Sequence, residues 1–417
     1  MVPKSALLLQ GPVGPFFRRF ADELLRHDVR VTKVNFNSGD SVFFRGPETI
    51  KYREPMDQWP AQFRKLVAER DVDAIFLVGD CRSMHKPIIP IAQELGVAVW
   101  VFEEGYLRPD HITLERDGVN GNSSMSKDPN FYRQAVKAMG PQPTVTPVGD
   151  TFAPFAAQSV TYACAMAAGA WRYPHYQHHR DLGLTLQAVS WVKSAWRKKA
   201  FAVKERGILE RATTEWSGHY FLVPLQLHCD FQIVHSKYES IPAFIEEVLE
   251  TFAKHGPSDT RLLVKHHPLD RAYRDYTHLL DTLASKLGIG DRIHYIHDQH
   301  LPTLLKHARG VVTMNSTVGT SALYHHAPVK VMGQAIYNMP ELTYQGSLAN
   351  FFCEIDKVDT QLFSDFNRWM RETNQFNGSF YKVTPGVSPE GAILKRLERG
   401  AGDNDERTTV GDERDLA

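Results

Sequence analysis

Short apolar runs alternate with amphipathic helical patterns along most of this 417-residue chain, and that alternation restricts the possible folds more than any other feature. Strand candidates occupy residues 6–9, 29–34, 74–78 and 97–102 in a first set and 220–225, 261–264, 293–296, 310–313 and 329–332 in a second set. Buried strands that are separated by helices form parallel sheets with both faces covered. The sequence therefore predicts two α/β halves with a cleft between them, where ligands bind beyond the carboxyl ends of the strands.

The segment between the halves differs from both in composition. Residues 151–171 contain no charged side chain, yet they are rich in Ala, Ser and Thr rather than Leu and Ile, which makes them a poor transmembrane candidate. Residues 184–206 have the pattern of an amphipathic helix that carries Trp191 and a run of Lys and Arg. Such a helix suits an anionic membrane surface, and a surface helix packed on the domains is an equal alternative.

Four segments follow from these patterns. We expect an N-terminal Rossmann-like domain at 1–150, a helical linker at 151–215, a C-terminal Rossmann-like domain at 216–385, and a terminal helix with a tail at 386–417. From residue 400 onward the chain has six acidic residues, two arginines and no apolar periodicity. This composition predicts a disordered acidic tail.

Composition argues against several classes of protein. Lys and Arg together number 48, as do Asp and Glu, so the charge balance does not indicate a nucleic-acid partner. The four cysteines form no CxxC pair and the nineteen histidines form no HExxH motif, so we predict no metal, no cofactor and no disulfide framework. The four apolar residues that precede Gln10 are too few for a signal-peptide core, which favours a cytoplasmic protein.

Two motifs in the second half predict a phosphate site. Lys265-His266-His267-Pro268 follows one strand candidate, and Asn315-Ser316-Thr317 lies where another strand turns into a helix. A helix N-terminus favours anions, and imidazole, ammonium and hydroxyl groups add hydrogen-bond donors. The two motifs together indicate a nucleotide or nucleotide-sugar site. The alternative is that His267 merely ends a strand and Ser316 merely caps a helix.

A candidate acid or base ends the fourth strand candidate. Glu104 lies there, and Gly105 permits a tight turn directly after it. A carboxyl group between apolar walls can have a raised pKa, as general acid or base catalysis requires. Arg108 could bind a substrate carboxylate through its fork of donors, or it could form a structural pair with the glutamate.

A second candidate carboxylate is Asp230, just past the first strand of the second half. A carboxylate there could attack an anomeric carbon or stabilise an oxocarbenium-like centre. Asp is also a common cap of helices and turns, and the local sequence leaves both readings open. Polar loops at 10–17 and 35–40 lack the spacing of a phosphate loop, so we expect them to shape the site for an acceptor.

These motifs, in this order, are similar to those of a known family. The similarity runs from Leu8 to about Pro385 and is carried by residues 9–17, 35–40, 102–110, 118–123, 264–271 and 315–319. The chain resembles the capsule polysaccharide biosynthesis family of KpsS (LipB) type from Gram-negative bacteria. The resemblance implies a GT-B-like fold, with an acceptor-binding N-terminal domain and a nucleotide-sugar-binding C-terminal domain. It also implies a retaining β-Kdo transferase that moves Kdo from CMP-β-Kdo to a (lyso)phosphatidylglycerol-type lipid.

With that resemblance, the candidate residues receive roles. The expected catalytic residues are Asp230 as nucleophile and Glu104 as base for the acceptor hydroxyl. The expected nucleotide and phosphate contacts are Lys265, His267, Pro268, Ser316 and Thr317. The expected substrate contacts are Gln10, Gly11, Gly14, Asn37, Arg108 and Asn120. The implied setting is the inner face of the inner membrane, where the protein is peripheral and a KpsC-type Kdo transferase extends the linker.

Two other functions stay open. CDP-glycerol-type polymerases also combine a His-Pro motif with a hydroxyl motif on GT-B-like halves, but they transfer an alcohol phosphate. The 35–40 and 103–108 motifs favour the capsule family over that class. The second alternative is a non-catalytic capsule assembly or export factor, against which the cleft carboxylates and His267 argue.

Overall fold

The computed structural model describes residues 2–46, 48–142, 144–176 and 184–399 of the chain. It divides into two compact units. Unit 1 comprises Met1–Val119, Pro141–His179 and Met370–Ala417, and unit 2 comprises Asn120–Gly140 and Arg180–Trp369.

Unit 1 is built on a seven-stranded sheet in the order β12-β6-β5-β4-β1-β2-β3. Its strands, numbered along the chain, are β1 (Ser5–Leu8), β2 (Arg30–Asn35), β3 (Thr49–Lys51), β4 (Ala74–Val78), β5 (Ala98–Glu104), β6 (His111–Arg116) and β12 (Gln375–Asn377). Strands β1 to β5 run parallel, and β6 runs antiparallel to both of its neighbours. The helices are α1 (Phe16–Arg26), α2 (Ser38–Phe43), α3 (Trp59–Arg70), α4 (Ile89–Glu94), α6 (Phe152–Ala168) and α15 (Pro389–Arg399).

Helices cover both faces of this sheet. Alternate side chains of its central strands point to opposite faces, so both faces present apolar side chains that need to be buried. Leu8 and Phe76 pack with the apolar sides of α1 and α15. Leu7 and Ile75, one residue earlier on the same two strands, pack with α3 instead. The continuous apolar runs in β1 and β4 therefore follow from burial on two sides.

Unit 2 contains a five-stranded parallel sheet in the order β11-β10-β7-β8-β9. Its strands are β7 (Tyr220–Pro224), β8 (Arg261–Lys265), β9 (Ile293–Ile296), β10 (Gly310–Thr313) and β11 (Val329–Val331). Its helices are α5 (Pro129–Ala135), α7 (Leu184–Lys204), α8 (Ile208–Thr213), α9 (Ile241–His255), α10 (Thr277–Lys286), α11 (Leu301–His307), α12 (Val318–Tyr324) and α13 (Leu348–Cys353). Helix α14 (Thr360–Thr373) begins in unit 2 and ends in unit 1.

The α/β class, the two Rossmann-like domains and the inserted helices α6 and α7 confirm the predicted fold class, and all nine predicted strands are present. The domain bounds differ from those expected. Residues 120–140 belong to unit 2 because Tyr132 packs edge-on against Phe366 and Trp369. Residues 370–399 belong to unit 1 because β12 extends its sheet and α15 buries its apolar side against α1.

Three predictions for the inserted and terminal segments have different outcomes. Helix α6 spans 17 residues, and none of the described helices has both the length and the apolar character needed to cross a bilayer. Helix α7 confirms the predicted helix after residue 184, although the Trp191 side chain lies outside what the structure describes. The acidic tail at 400–417 is also outside the described residues, so its predicted disorder stays a prediction.

Candidate functional site

Three neighbouring parallel strands of unit 2 end at one edge of the sheet. Strands β10, β7 and β8 are adjacent and run in the same direction, so the residues that follow them lie at a common edge. Asp230 follows β7, His267 follows β8, and Ser316 follows β10. The structure thus brings the predicted nucleophile and both predicted phosphate motifs to the same side of one sheet.

A buried glutamine joins two of the loops at this edge. The Gln226 Nε2 atom donates to Asn315 Oδ1 at 2.8 Å and to Asp230 Oδ2 at 3.4 Å. Asn315 in turn donates through Nδ2 to the carbonyl of Gln232 at 2.7 Å. Because a buried amide needs partners, this chain of bonds fixes the loop after β7 against the turn after β10.

Asp230 also caps a short helix. Its Oδ1 atom accepts a hydrogen bond from the Gln232 backbone N–H at 2.9 Å, at the start of the 3₁₀ turn Phe231–His235. The cap that the sequence predicts as the alternative to a catalytic role of Asp230 is therefore present. Among the residues that the structure describes, only Gln226 contacts its second oxygen, and that contact is long, so capping does not use up the carboxylate. The cap orients Asp230, which would also serve a nucleophile.

The Lys-His-His-Pro motif divides between the interior and the rim. Lys265 is buried, and its Nζ atom donates to the His297 carbonyl at 2.8 Å. Burial lowers the pKa of Lys265, and burial likewise lowers the pKa of His266 to about 3. His267 is partly exposed and Pro268 is exposed, and the His267 Nδ1 atom accepts from the Leu269 N–H at 3.2 Å. His267 is thus better placed than Lys265 to contact a ligand directly.

The hydroxyl motif forms a tight turn before α12. The Ser316 Oγ atom accepts from the Val318 N–H at 3.2 Å, and the Ser316 carbonyl accepts from the Tyr337 hydroxyl at 2.5 Å. Ser316 and Thr317 are both half-buried. A Cβ atom at Gly319 would lie 2.1 Å from the Tyr337 hydroxyl, so this turn requires glycine there. Thr317 makes no side-chain cap bond to the helix, and its hydroxyl is not committed to capping.

The predicted substrate residues Gln10 and Asn37 are only 2% and 1% exposed and belong to a buried network in unit 1. The Tyr162 hydroxyl from α6 donates to Asp40 Oδ1 at 2.8 Å and accepts from Asn37 Nδ2 at 2.6 Å. Gln10 Nε2 donates to the same hydroxyl at 3.3 Å and to the Tyr176 hydroxyl at 3.1 Å. These two residues are therefore placed to support the rim of the sheet from below.

The glycines of the first loop make close packing contacts. A Cβ atom at Gly11 would lie 2.7 Å from the Phe17 ring. Gly14 has a φ of +106°, and a Cβ atom there would lie 2.1 Å from Gln158 Oε1 on α6. This space requirement gives both glycines a structural role, alongside the substrate contact predicted for them.

The two adjacent glutamates at the end of β5 lie in different surroundings. Burial raises the pKa of Glu103 to about 7, and the neighbouring Glu104 charge adds to that shift. The Glu104 Oε1 atom accepts from the Tyr381 hydroxyl at 2.5 Å, whereas the Glu103 Oε1 atom accepts from the Glu104 backbone N–H at 2.9 Å. Since Arg108 acts to lower the pKa of Glu103, the raised value reflects burial rather than a missing cation. Glu103 has the property that was predicted for Glu104.

The remaining two predicted substrate residues, Arg108 and Asn120, belong to different units. Arg108 is exposed in unit 1, and its Nε atom donates to the Gly105 carbonyl at 3.3 Å. Asn120 has a φ of +58° and lies in the 3₁₀ turn Asn120–Asn122, which belongs to unit 2 rather than to the expected N-terminal domain. Asn accepts such a left-handed conformation more readily than most residues.

Helix α7 has one packed face and one open face. Two residues of α7 that are three positions apart contact the loop after β8. Ser194 Oγ accepts from Arg271 Nη1 at 2.9 Å, and Arg197 Nη1 donates to the Arg271 carbonyl at 2.8 Å. Just beyond the helix, buried Glu205 holds His297 through two contacts of 2.6 and 3.0 Å. The opposite side exposes Trp196, Val203 and Lys199, and Lys198 and Lys204 are exposed along the flanks of the helix. The packed surface helix is thus present, and contact of this segment with a membrane stays a prediction.

Sequence reasoning missed three participants. Arg82 donates to Gln10 Oε1 at 3.1 Å, and Tyr162 completes the network in unit 1. In unit 2, Asp270 binds His228 and so joins the loops after β7 and β8. Asp270 lies inside the quoted 264–271 motif, which was the available signal. No pattern in the sequence pairs Tyr162 with residues more than a hundred positions away.

Comparisons with known proteins place the chain in sequence space. The family model described as "Capsule polysaccharide biosynthesis protein" matches residues 73–381. The Escherichia coli capsule polysaccharide export protein KpsS is 39% identical over 383 residues, which cover 91% of this chain and 97% of the relative. The capsule polysaccharide modification protein LipB of Neisseria meningitidis serogroup A is 35% identical over 384 residues, covering 91% of this chain and 92% of the relative.

Two solved structures are also similar. The β-Kdo 2,7-transferase KpsC of Thermosulfurimonas dismutans has 14% identity and a TM-score of 0.40, covering 87% of this chain and 99% of its own. The UDP complex of S. aureus MnaA has 11% identity and a TM-score of 0.33, covering 95% and 97%. Both are far more distant than the relatives found by sequence.

The unit 1 network generates a stability prediction. Tyr162→Phe removes the hydroxyl that Asp40, Asn37 and Gln10 share, which leaves buried polar groups short of partners. We expect a loss of about 1–3 kcal/mol in the free energy of unfolding, measured by urea denaturation. The control Tyr324→Phe, at a side chain that is 68% exposed, should leave the midpoint unchanged. Equal midpoints for both variants would contradict the structural role.

Proposed function

This chain belongs to the capsule polysaccharide biosynthesis protein family, and we propose that it is a glycosyltransferase that moves Kdo from CMP-β-Kdo to a phosphatidylglycerol-type lipid with retention. One observation carries the proposal. Asp230, His267 and the Ser316–Thr317 turn follow three adjacent parallel strands and share one edge of the unit 2 sheet. A nucleophile beside a phosphate-binding edge is what transfer from a nucleotide sugar needs.

The nucleotide phosphate is assigned to His267 and the hydroxyl turn. The His267 imidazole and the hydroxyls of Ser316 and Thr317 supply donors at the rim. Cytidine monophosphate leaves as a phosphate monoester, whose charge such fixed donors can stabilise. Lys265 contributes its charge from beneath the rim, since its ammonium group binds the His297 carbonyl.

The transfer is assigned two displacements. In the first, an Asp230 carboxylate oxygen bonds to the anomeric carbon of Kdo, and the bond to the phosphate oxygen breaks with its electron pair going to cytidine monophosphate. In the second, the acceptor hydroxyl attacks the same carbon, its proton passes to a base, and the Asp230 carboxylate is released. Two inversions at one carbon give net retention.

The base is one of the two adjacent glutamates. The motif predicts Glu104, and burial raises the pKa of Glu103 to about 7, which suits proton transfer near neutral pH. The Glu104 carboxylate already accepts the Tyr381 hydroxyl. We therefore propose that Glu103 accepts the proton of the acceptor hydroxyl. Glu104 stabilises the end of β5 through its hydrogen bond from Tyr381.

A lipid acceptor gives a purpose to the open face of α7. Trp196 is 69% and Val203 is 67% exposed, and Lys198, Lys199 and Lys204 are exposed on the same helix. Exposed aromatic and basic side chains on one helix attract an anionic lipid surface. We propose that the protein acts peripherally at the inner face of the inner membrane, with a KpsC-type Kdo transferase as the enzyme that extends its product.

The reaction is tested by mass spectrometry of the protein incubated with a fluorescent phosphatidylglycerol analogue and with CMP-Kdo made in situ. We expect a lipid product heavier by one Kdo residue. Asp230→Asn should lower kcat by at least about 10³-fold because it removes the nucleophile. Asp281→Asn, at an exposed position on α10, is the matched control and should keep the wild-type rate. A product formed only from CDP-glycerol would instead establish the alcohol-phosphate alternative.

The base is tested by the pH dependence of kcat/KM. A carboxyl group accepts a proton only when ionised, so the rate should rise from acidic pH through a midpoint set by the Glu103 pKa of about 7. Glu103→Gln should lower the rate by about 10²–10⁴-fold and abolish this rise. Glu104→Gln should keep the rise. The opposite pattern in the two variants would return the role to Glu104.

The membrane contact is tested by vesicle co-sedimentation. The double charge reversal Lys198→Glu/Lys199→Glu on α7 should weaken binding to phosphatidylglycerol vesicles by at least about tenfold, since each basic residue near an anionic surface contributes about 1 kcal/mol. Turnover of a short-chain soluble acceptor should survive. Lys65→Glu on α3, an exposed site in unit 1, is the control. Unchanged vesicle binding of the α7 variant would exclude this face as the lipid contact.

A further inference from the structure

A histidine and a fully buried aspartate join the loops that follow β7 and β8. The His228 backbone N–H donates to Asp270 Oδ2 at 2.9 Å, and the His228 Nδ1 atom is hydrogen-bonded to Asp270 Oδ1. Asp270 is 0% exposed, while 26% of the His228 side chain is exposed. One carboxylate thus fixes both the backbone and the ring of His228, and it does so from the same loop as His267.

This contact decides which ring nitrogen can act on a ligand. A carboxylate accepts hydrogen bonds, so the Nδ1 atom that faces Asp270 carries a hydrogen. The Nε2 atom is then the one left for proton transfer. An aspartate that orients a histidine in this way sets its tautomer and the direction of its ring. The pair therefore has the arrangement of a positioned proton donor rather than that of a simple surface ion pair.

The location of the pair agrees with that role. His228 lies two residues before Asp230, in the loop after β7. The Asp270 backbone N–H donates to the His267 carbonyl at 2.9 Å, so the aspartate is part of the turn that carries the proposed phosphate contact. The ring is consequently held between the nucleophile's loop and the phosphate's loop.

We propose that His228 donates its Nε2 proton to an oxygen of the departing nucleotide phosphate, with Asp270 as the positioning residue. This deepens the proposed function and rests on it. As Asp230 bonds to the anomeric carbon, the bond from that carbon to the phosphate oxygen breaks and its electron pair stays on the oxygen. The His228 proton neutralises part of the charge that develops there. The ring is left neutral, with the hydrogen on its Nδ1 atom still donated to Asp270, and a proton from solvent returns to Nε2 before the next turnover.

The same unit contains a matched control pair. His219 Nδ1 lies 2.9 Å from Asp259 Oδ2, but both side chains are largely exposed, at 49% and 61%. His219 immediately precedes β7, at the opposite end of the strand from His228. Substitution there removes a histidine–aspartate contact without touching the carboxyl edge of the sheet.

The test compares four variants in the transfer assay: His228→Ala, His228→Ala/Asp270→Asn, Asp270→Asn and His219→Ala. We expect His228→Ala to lower kcat by about 10²–10³-fold with a much smaller change in the donor KM. Added imidazole should restore part of that rate in His228→Ala and none in Asp230→Asn. Asp270→Asn should give a smaller loss, and His219→Ala none. The double variant avoids leaving a buried carboxylate unpaired, so it keeps the test valid if the single variant is unstable.

Each outcome decides between a proton donor and a mere tie between loops. Two results would overturn the proposal while leaving the transferase intact. One is a wild-type kcat in folded His228→Ala. The other is a loss of rate that imidazole restores neither in His228→Ala nor in His228→Ala/Asp270→Asn. If the wild-type protein makes no Kdo product, CMP-Kdo is not the donor substrate. Binding of CMP, measured by calorimetry, then tests the role of His228 separately. Weaker CMP binding by His228→Ala than by His219→Ala would then support a phosphate contact, and equal binding or no binding would overturn it.

Discussion

The arrangement of the loops at the carboxyl edge of the unit 2 sheet depends on the buried side-chain amide of Gln226. It bonds Asn315 at 2.8 Å and approaches Asp230 at 3.4 Å, so it ties the loop after β7 to the turn after β10. On the other side of β7, Asp270 binds His228 and ties the same loop to the one after β8. Three loops that hydrophobic packing alone would leave adjustable are thereby held in one arrangement. Catalysis by positioned groups needs that, because small misplacements cost large factors in rate.

Unit 1 closes the corresponding edge of its own sheet in a different way. Helix α6 supplies Tyr162 and Gln158, whose uncharged groups bond the buried loops and the Tyr381 carbonyl. A charged side chain at these positions would need a partner of opposite charge in a buried setting, which is costly. These hydrogen bonds explain the uncharged side chains at positions 158 and 162. They do not explain the exposed uncharged positions of residues 151–171, such as Phe152 and Trp171.

The sequence predicted the parts of this structure that are set by local pattern. The nine strands came from short apolar runs, and α7 came from its periodicity. Strands β3, β6 and β12 were missed: β3 and β12 have only three residues each, and β6 is an antiparallel strand outside the alternation of parallel strands and helices. The return of residues 370–399 to unit 1 depends on packing between distant segments. At the candidate site, the motifs placed His267 and Ser316 directly after strands, which is where the structure has them. They could not reveal that Lys265 turns its ammonium toward the His297 carbonyl, since that depends on the path of β9.

The pair Glu103–Glu104 shows why a motif cannot assign a base by itself. Successive residues of a strand point to opposite faces, so two adjacent glutamates cannot present their carboxylates to the same ligand atom. One of them meets the Tyr381 hydroxyl, a partner that lies 277 residues away along the chain. The other loses water, and that loss of solvation is what raises its pKa. The raised pKa of Glu103 therefore arises from tertiary packing, and it favours Glu103 for a proposed reaction step that must both take up and release a proton near neutral pH.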